Sequence, residues 1–264
     1  MSCDVRLVDF NYIFESETKI IPSSVSPEFP EDHFKEYIRS KVFRTSSVTG
    51  TQSVVFDLKT REEINTFCLL PHPIEGFKFS TSAVVKLQAS STNEWSAPPI
   101  DITLSIDETS DVFTHFFAAD VSYRYWRIAV TDSLNAYGYI ELGKIILGKN
   151  TAFTRLPSIG FSLKTEDQSK VNTTAYGHKY FDIYPNIRTL EVELNLMDET
   201  DAYIWMDSFN RIGRVSPVFL SLDSTGEIFN TNRFVFYGTY ENNLEQEHVV
   251  RNRFSMPLVI GEML

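Results

Sequence analysis

Residues Ile100 to Ile106 alternate apolar and polar side chains without a break, as Ile-Asp-Ile-Thr-Leu-Ser-Ile. Side chains on a strand point to opposite faces with a period of two. This segment therefore lays Ile100, Ile102, Leu104 and Ile106 on a core and turns the polar residues outward. The pattern recurs. Ala83 to Ala89 alternates, and Tyr123 to Val130 sets Tyr125, Arg127 and Ala129 opposite Arg124, Trp126, Ile128 and Val130. Val54 to Leu58 and Thr66 to Leu70 are short apolar runs, and Tyr139 to Leu147 reads as one long strand. Turn residues separate them, at Ser90 to Asn93 and at Ala97 to Pro99. Short strands with such punctuation specify an all-β sandwich or barrel. A content of 21 Phe, 12 Tyr and 3 Trp points the same way, because aromatic side chains suit half-buried pleated surfaces.

The strand series stops near Gly148 to Asn150 and restarts beyond Leu156 and Pro157, which divides the 264 residues into domains 1–150 and 151–264. In the second domain, strands are expected at Gly160–Lys164, Leu190–Leu196, Pro217–Leu222, Arg233–Gly238 and Arg253–Ile260. Pro257 suits an edge or a bulge in the last of these. One helix is expected over Glu199–Ile212. Asp198 caps it, Glu199 and Asp201 complement its positive end, and Gly213 stops it. Ala202, Met206 and Phe209 mark its stripe, with Trp205 alongside. The fold class is thus all-β with one helix: a jelly-roll followed by a β-sandwich or barrel with a flanking helix.

A net charge of −11, spread over both halves, opposes binding to a phosphate backbone or an anionic membrane. No apolar run approaches the roughly 20 residues of a membrane span, and Met1 to Arg6 opens no signal sequence. The expectation is a soluble chain made in a cytoplasm. Cys3 and Cys68 read as reduced thiols.

The usual catalytic and metal signatures do not occur. The five histidines show no zinc spacing, and no Gly-rich phosphate loop or nucleophile elbow is found. The expectation is no enzyme and no cofactor, although oxygen ligands for a structural calcium could come from Glu28, Asp32 and Glu141. Four residues stand out as ligand-binding candidates because loops on rigid sandwiches carry binding. These are His72, between two prolines; Trp95, in a turn-rich stretch; and Tyr137 and Tyr139, just ahead of a strand. Each also has a plainer reading: His72 as a turn cap, the rings as covers on the ends of the barrel.

An ordered set of segments resembles the discoidin, or coagulation-factor C-type, family over about residues 20–149. They are Ile21 to Pro30, Val42 to Thr45, and Val54 to Leu58, where Lys59 replaces the family's glycine. Then follow Ile64 to Leu70 with His72, Val85 to Ser90, Tyr123 to Ile128, and Gly138 to Gly148. The resemblance implies an eight-stranded jelly-roll that binds glycans, lipids or protein surfaces through loops at one end, with Trp126 and Arg127 in packing roles. The second half is similar in layout to distal-tail or tail-tip proteins of tailed bacteriophages, through Gly160 to Lys164, the helix, Ser216 to Leu220 and Tyr237 to Tyr240. That implies a virion structural component whose second domain assembles into a ring. Its partners would be copies of itself, other tail proteins and host-surface glycan, with no nucleic acid and no membrane insertion. Two other readings stay open: a free-standing carbohydrate-binding or adhesin module, and a glycoside-processing enzyme, which would need two carboxylates flanking a bond.

Overall fold

A computed structural model describes residues 5–73, 77–106, 112–153, 161–224, 234–250 and 253–264. They are mostly strand with one α-helix, and the sheets are open, with no closed barrel among the described residues. They fall into two compact units. One is Phe10–Thr151; the other joins the chain before Phe10 to the described parts of Ala152–Ile228 and Val235–Leu264.

The first unit is a sandwich built on two long bent strands, Thr51–Leu70 and Phe113–Thr131. Their register runs from Thr51↔Thr131 to Leu69↔Phe113 and shifts between Asp57 and Glu62, where both strands turn from one sheet into the other. The two apolar runs expected separately are therefore one strand. The turn is made at Lys59, whose φ of 68° lies in the left-handed region. Asp57 offsets that cost by accepting the Lys59 N–H at 2.9 Å. Lys19–Pro22 and Val84–Ser90 flank the first sheet, with Ile100–Leu104 beyond, and Lys144–Gly148 flanks the second. Between the sheets lies an apolar core that includes Ile13, Phe34, Phe43, Phe56, Phe67, Leu87, Trp126, Ile128 and Leu147.

The long strand expected over Tyr139–Leu147 breaks into Glu141–Leu142 and Lys144–Gly148. Gly143 lies against the neighbouring backbone so closely that a Cβ there would stand 2.0 Å from the Leu70 carbonyl oxygen. Trp126 packs in the core as expected, and Arg127, half-buried on the opposite face of the strand, packs over the Trp95 ring at 4.7 Å.

The second unit is built on an eight-stranded sheet, with a separate two-stranded hairpin of Lys170–Thr173 and Lys179–Asp182 and one helix. Seven strands run in the order Thr151–Phe153, Val5–Val8, Val218–Ser221, Val235–Tyr240, Arg253–Glu262, Ile187–Met197, Phe161–Glu166, and Glu247–Val250 also pairs with Arg253–Glu262. A boundary at residue 150 assigns the whole opening of the chain to the first domain. Instead Val5–Val8 pairs with Val218–Ser221, because its buried Val5, Leu7 and Val8 complete the second unit's core. The helix spans Glu199–Ile212, with the Asp198 side chain accepting the Asp201 N–H and Gly213 at φ 59°. Its buried stripe is Ala202, Trp205 and Ser208: Ala202 and Trp205 as expected, with Ser208 in place of Met206 and Phe209. Trp205 stacks on Phe153 with centroids 4.7 Å apart, and that contact sets the helix rotation. Pro257 sits inside a central strand rather than at an edge. It pairs with Glu193 on one side, and on the other it falls in the gap between Ser255, paired to Glu247, and Ile260, paired to Tyr240. The Asn242 side chain bridges that gap, donating to the Pro257 carbonyl and accepting from the Val259 N–H.

Candidate functional site

The register defines two ends of the first unit. At one, Thr51, Thr131 and Val84 lie side by side. There the chain leaves Thr131 into the loop 132–139 and enters Val84 from the segment beyond Phe77. A polar brace ties these two loops together. The buried Asp132 carboxylate accepts the Ser80 N–H at 3.0 Å, the Ser80 hydroxyl, and the Asn135 amide at 2.8 Å. The same Asn135 amide donates to the Lys78 carbonyl at 2.9 Å, and its oxygen accepts the Tyr137 N–H at 3.0 Å. Gly138, at φ 74°, then turns the chain so that Tyr137 and Tyr139 fall on one side.

This brace carries a cluster of rings. Phe77 is 5.5 Å from Tyr137, 5.9 Å from Tyr139 and 5.0 Å from Phe79 between centroids. Tyr137 and Tyr139 are 6.0 Å apart, and Phe79 packs edge-on against Phe113 at 5.6 Å. The cluster is graded in depth: Phe77 is buried, Tyr139 half-buried and Tyr137 48% exposed. Leu134, 77% exposed, stands in the same loop. The Arg44 guanidinium extends the surface, lying 3.8 Å over Phe29 and 4.7 Å over Tyr139. It is held there by a 2.7 Å hydrogen bond from Nε to the buried Glu141 carboxylate.

Of the four residues expected at a site, Tyr137 and Tyr139 come together here. His72 lies just past Leu70, beyond the pairs Leu69–Phe113 and Leu70–Lys144. Trp95 does not join them. It follows Ser90, which pairs with Tyr125 near the bend of the long strands, and at about 3.3 Å per residue Val84 and Ser90 are roughly 20 Å apart. Its Nε1 donates to Asn93 at 2.9 Å, and its ring carries Arg127, which also donates to Gln88. Phe77, Phe79 and Arg44 were not among the expected residues. Their signal was a Phe-Lys-Phe step inside a loop and one arginine in a segment read only for its family likeness.

The oxygen ligands expected for calcium do not gather. Among the described residues no three His, Cys, Asp or Glu side chains are placed to hold a metal ion, and Glu141 is committed to Arg44. A cation of a different kind is present nearby. The fully buried Lys144 ammonium donates to the carbonyls of His33, at 2.9 Å, and Glu36, closing the turn 31–36. Burial pulls its pKa down to about 8. Cys68 is buried and unpaired, and burial pushes its thiol up, away from the reactive thiolate; Cys3 lies outside the described residues. A hollow of about 400 Å³ lies near the bend, lined by Phe10, Tyr12, Glu15, Glu17, Leu58 and Glu62 among others. Burial, reinforced by Glu62, raises the Tyr12 phenol there.

No family model matches the chain, and no curated protein does. Solved structures similar to its N-terminal half have a discoidin-like fold. One is the family 32 carbohydrate-binding module of NanJ from Clostridium perfringens in complex with galactose, at 12% identity and a TM-score of 0.42, covering 56% of this chain and all of that one. Another is a fucose-binding module of Streptococcus pneumoniae, at 10% identity and 0.41, covering 53% and 94%. A third is chitosan-binding module 1 of a chitosanase/glucanase from Paenibacillus sp. IK-5, at 16% identity and 0.40, covering 53% and 99%.

Proposed function

We propose that the first unit is a non-catalytic glycan-binding module whose ligand lies on the rings at the Tyr137 end. The observation that carries this reading is the graded ring cluster, with its outermost member half in water on a loop fixed by Asp132 and Asn135. An aromatic face carries negative charge density and attracts the weakly positive C–H face of a sugar ring. A polar group to fix a sugar's hydroxyls would come from Arg44, which lies over Tyr139. A site of rigid rings with a few placed polar groups is the general form of a small-ligand site. The hollow near the bend carries the carboxylates of Glu15, Glu17 and Glu62 beside a single ring pair, Phe10 and Tyr12, so it is the weaker candidate. The test is a screen of the full chain against immobilised glycans that includes galactose-, fucose- and glucosamine-terminated sugars. Binding that Tyr137→Ala removes supports the reading; binding to no glycan counts against it.

A second reading places the chain in the virion, as a tail-tip protein whose first unit touches host-surface glycan. Its support is the layout of the second unit, a broad sheet with one capped helix. Mass spectrometry of purified virions from a phage encoding the chain tests it, and absence of the chain from those particles refutes it.

A further inference from the structure

The hollow near the bend of the long strands has two fixed walls. One is the chain 10–18, which Asn11 anchors. Its side-chain oxygen accepts the Ile13 N–H at 3.2 Å and the Leu147 N–H at 3.0 Å, and its amide donates to the Ile145 carbonyl at 2.7 Å. The buried Thr18 hydroxyl closes the same segment by donating to the Tyr12 carbonyl at 2.7 Å. On this frame the Phe10 and Tyr12 rings meet edge to face, with centroids 5.0 Å apart. The other wall is the bend itself, which brings Leu58, Thr60 and Glu62 to the hollow, the Thr60 hydroxyl donating to the Glu62 carboxylate.

Three carboxylates, Glu15, Glu17 and Glu62, line this space, and among the described residues no lysine or arginine does. The cations in reach are engaged elsewhere. Lys59 pairs with Asp57, Lys149 with Glu63 and Asp120, and Lys35 donates to the Ser16 carbonyl at 3.0 Å. A cleft lined by one sign of charge gathers ions of the other sign. The Tyr12 phenol reports that field: burial and then Glu62 hold it above its ordinary value, against a smaller opposing effect of Lys149. The lining also selects the kind of cation. Among the described residues no three carboxylates are placed to share a metal ion. The rings of Tyr12 and of the 40%-exposed Phe10 attract an ammonium and cover methylene groups, and Leu58 adds apolar surface. A space of about 400 Å³ suits a short organic chain better than a single ion.

We propose that this hollow binds a small aliphatic polyamine, its ammonium groups on the carboxylates and its methylenes against the Phe10 and Tyr12 rings. The inference goes beyond the glycan reading and stands or falls without it. Calorimetric titration of spermidine into the full chain at low salt tests it. The expected result is saturable binding of one spermidine per chain, with no saturable binding of magnesium. Glu17→Gln with Glu62→Gln should weaken spermidine about tenfold, and Phe10→Ser about threefold. Glu166→Gln with Glu247→Gln removes the same charge from exposed positions of the second unit and should change nothing. Unchanged circular dichroism in each variant shows that the fold is kept. Absence of saturable binding overturns the proposal, and so does a loss as large in the Glu166 and Glu247 variant, which would mark a general charge effect. Full affinity in Phe10→Ser, saturable magnesium binding, or a glucosamine oligomer that displaces spermidine from the hollow would each overturn the polyamine assignment.

Discussion

Tyr137 and Trp95 look alike in the sequence, each an aromatic residue in a polar loop, and three-dimensional context separates them. Tyr137 joins a ring cluster on a braced loop, whereas Trp95 supports Arg127 along the strand. Sequence reasoning found both because it weighs local exposure; it had no means of pairing loops distant in the chain. Phe77 and Phe79 escaped for the same reason, since a loop context hides which end of the sandwich they reach. Lys59 is a residue-scale cost that the sequence did reveal, as the place where a glycine was expected. Its left-handed backbone is eased by the Asp57 hydrogen bond, and its ammonium lies 3.3 Å from the same carboxylate. Lys59→Gly is expected to raise stability by about 0.5–1 kcal/mol, because Arg124 still holds Asp57; urea denaturation measures it.

Strands and the helix were legible wherever burial of one face imposes a period. Ile100–Leu104, Val84–Ser90 and Glu199–Ile212 follow their patterns closely. The hairpin at 170–182 was not legible, since with no covered face it carries no alternation. The break at Gly143 was hidden too: Tyr139 to Leu147 keeps a strand-like composition, and only the closeness of Leu70 shows why glycine is required. Gly143→Ala is expected to cost about 3 kcal/mol or more, because the intruded atom is backbone and has nowhere to move. Thermal unfolding checks it, and a variant as stable as wild type would show that this crossing can relax.

For the whole molecule, two buried charges make stability rise with pH in two separate ranges. Hydrogen bonds from Arg124 hold the Asp57 carboxyl well below the usual carboxylate range, despite the opposing effect of burial. The folded state then binds fewer protons than the unfolded one in acid, so this contribution is present above about pH 4 and is lost as the pH falls further. Lys144 is pulled down to about 8 by burial, so between about 8 and the ordinary lysine value the unfolded chain binds more protons and stability rises with pH. Denaturation midpoints across pH are expected to fall in acid and, in Lys144→Met, to lose part of the alkaline rise.

The place of Val5–Val8 in the second unit was not legible, because strand pairing across more than 200 residues leaves no local mark. The glycan reading rests on the Tyr137 end. It is tested most directly by calorimetric titration of the best glycan from the screen into wild type, Tyr137→Ala and Trp95→Ala. The account expects Tyr137→Ala to weaken binding at least tenfold, about 1.4 kcal/mol, with Trp95→Ala unchanged. Full affinity in Tyr137→Ala, or loss confined to Trp95→Ala, would contradict it.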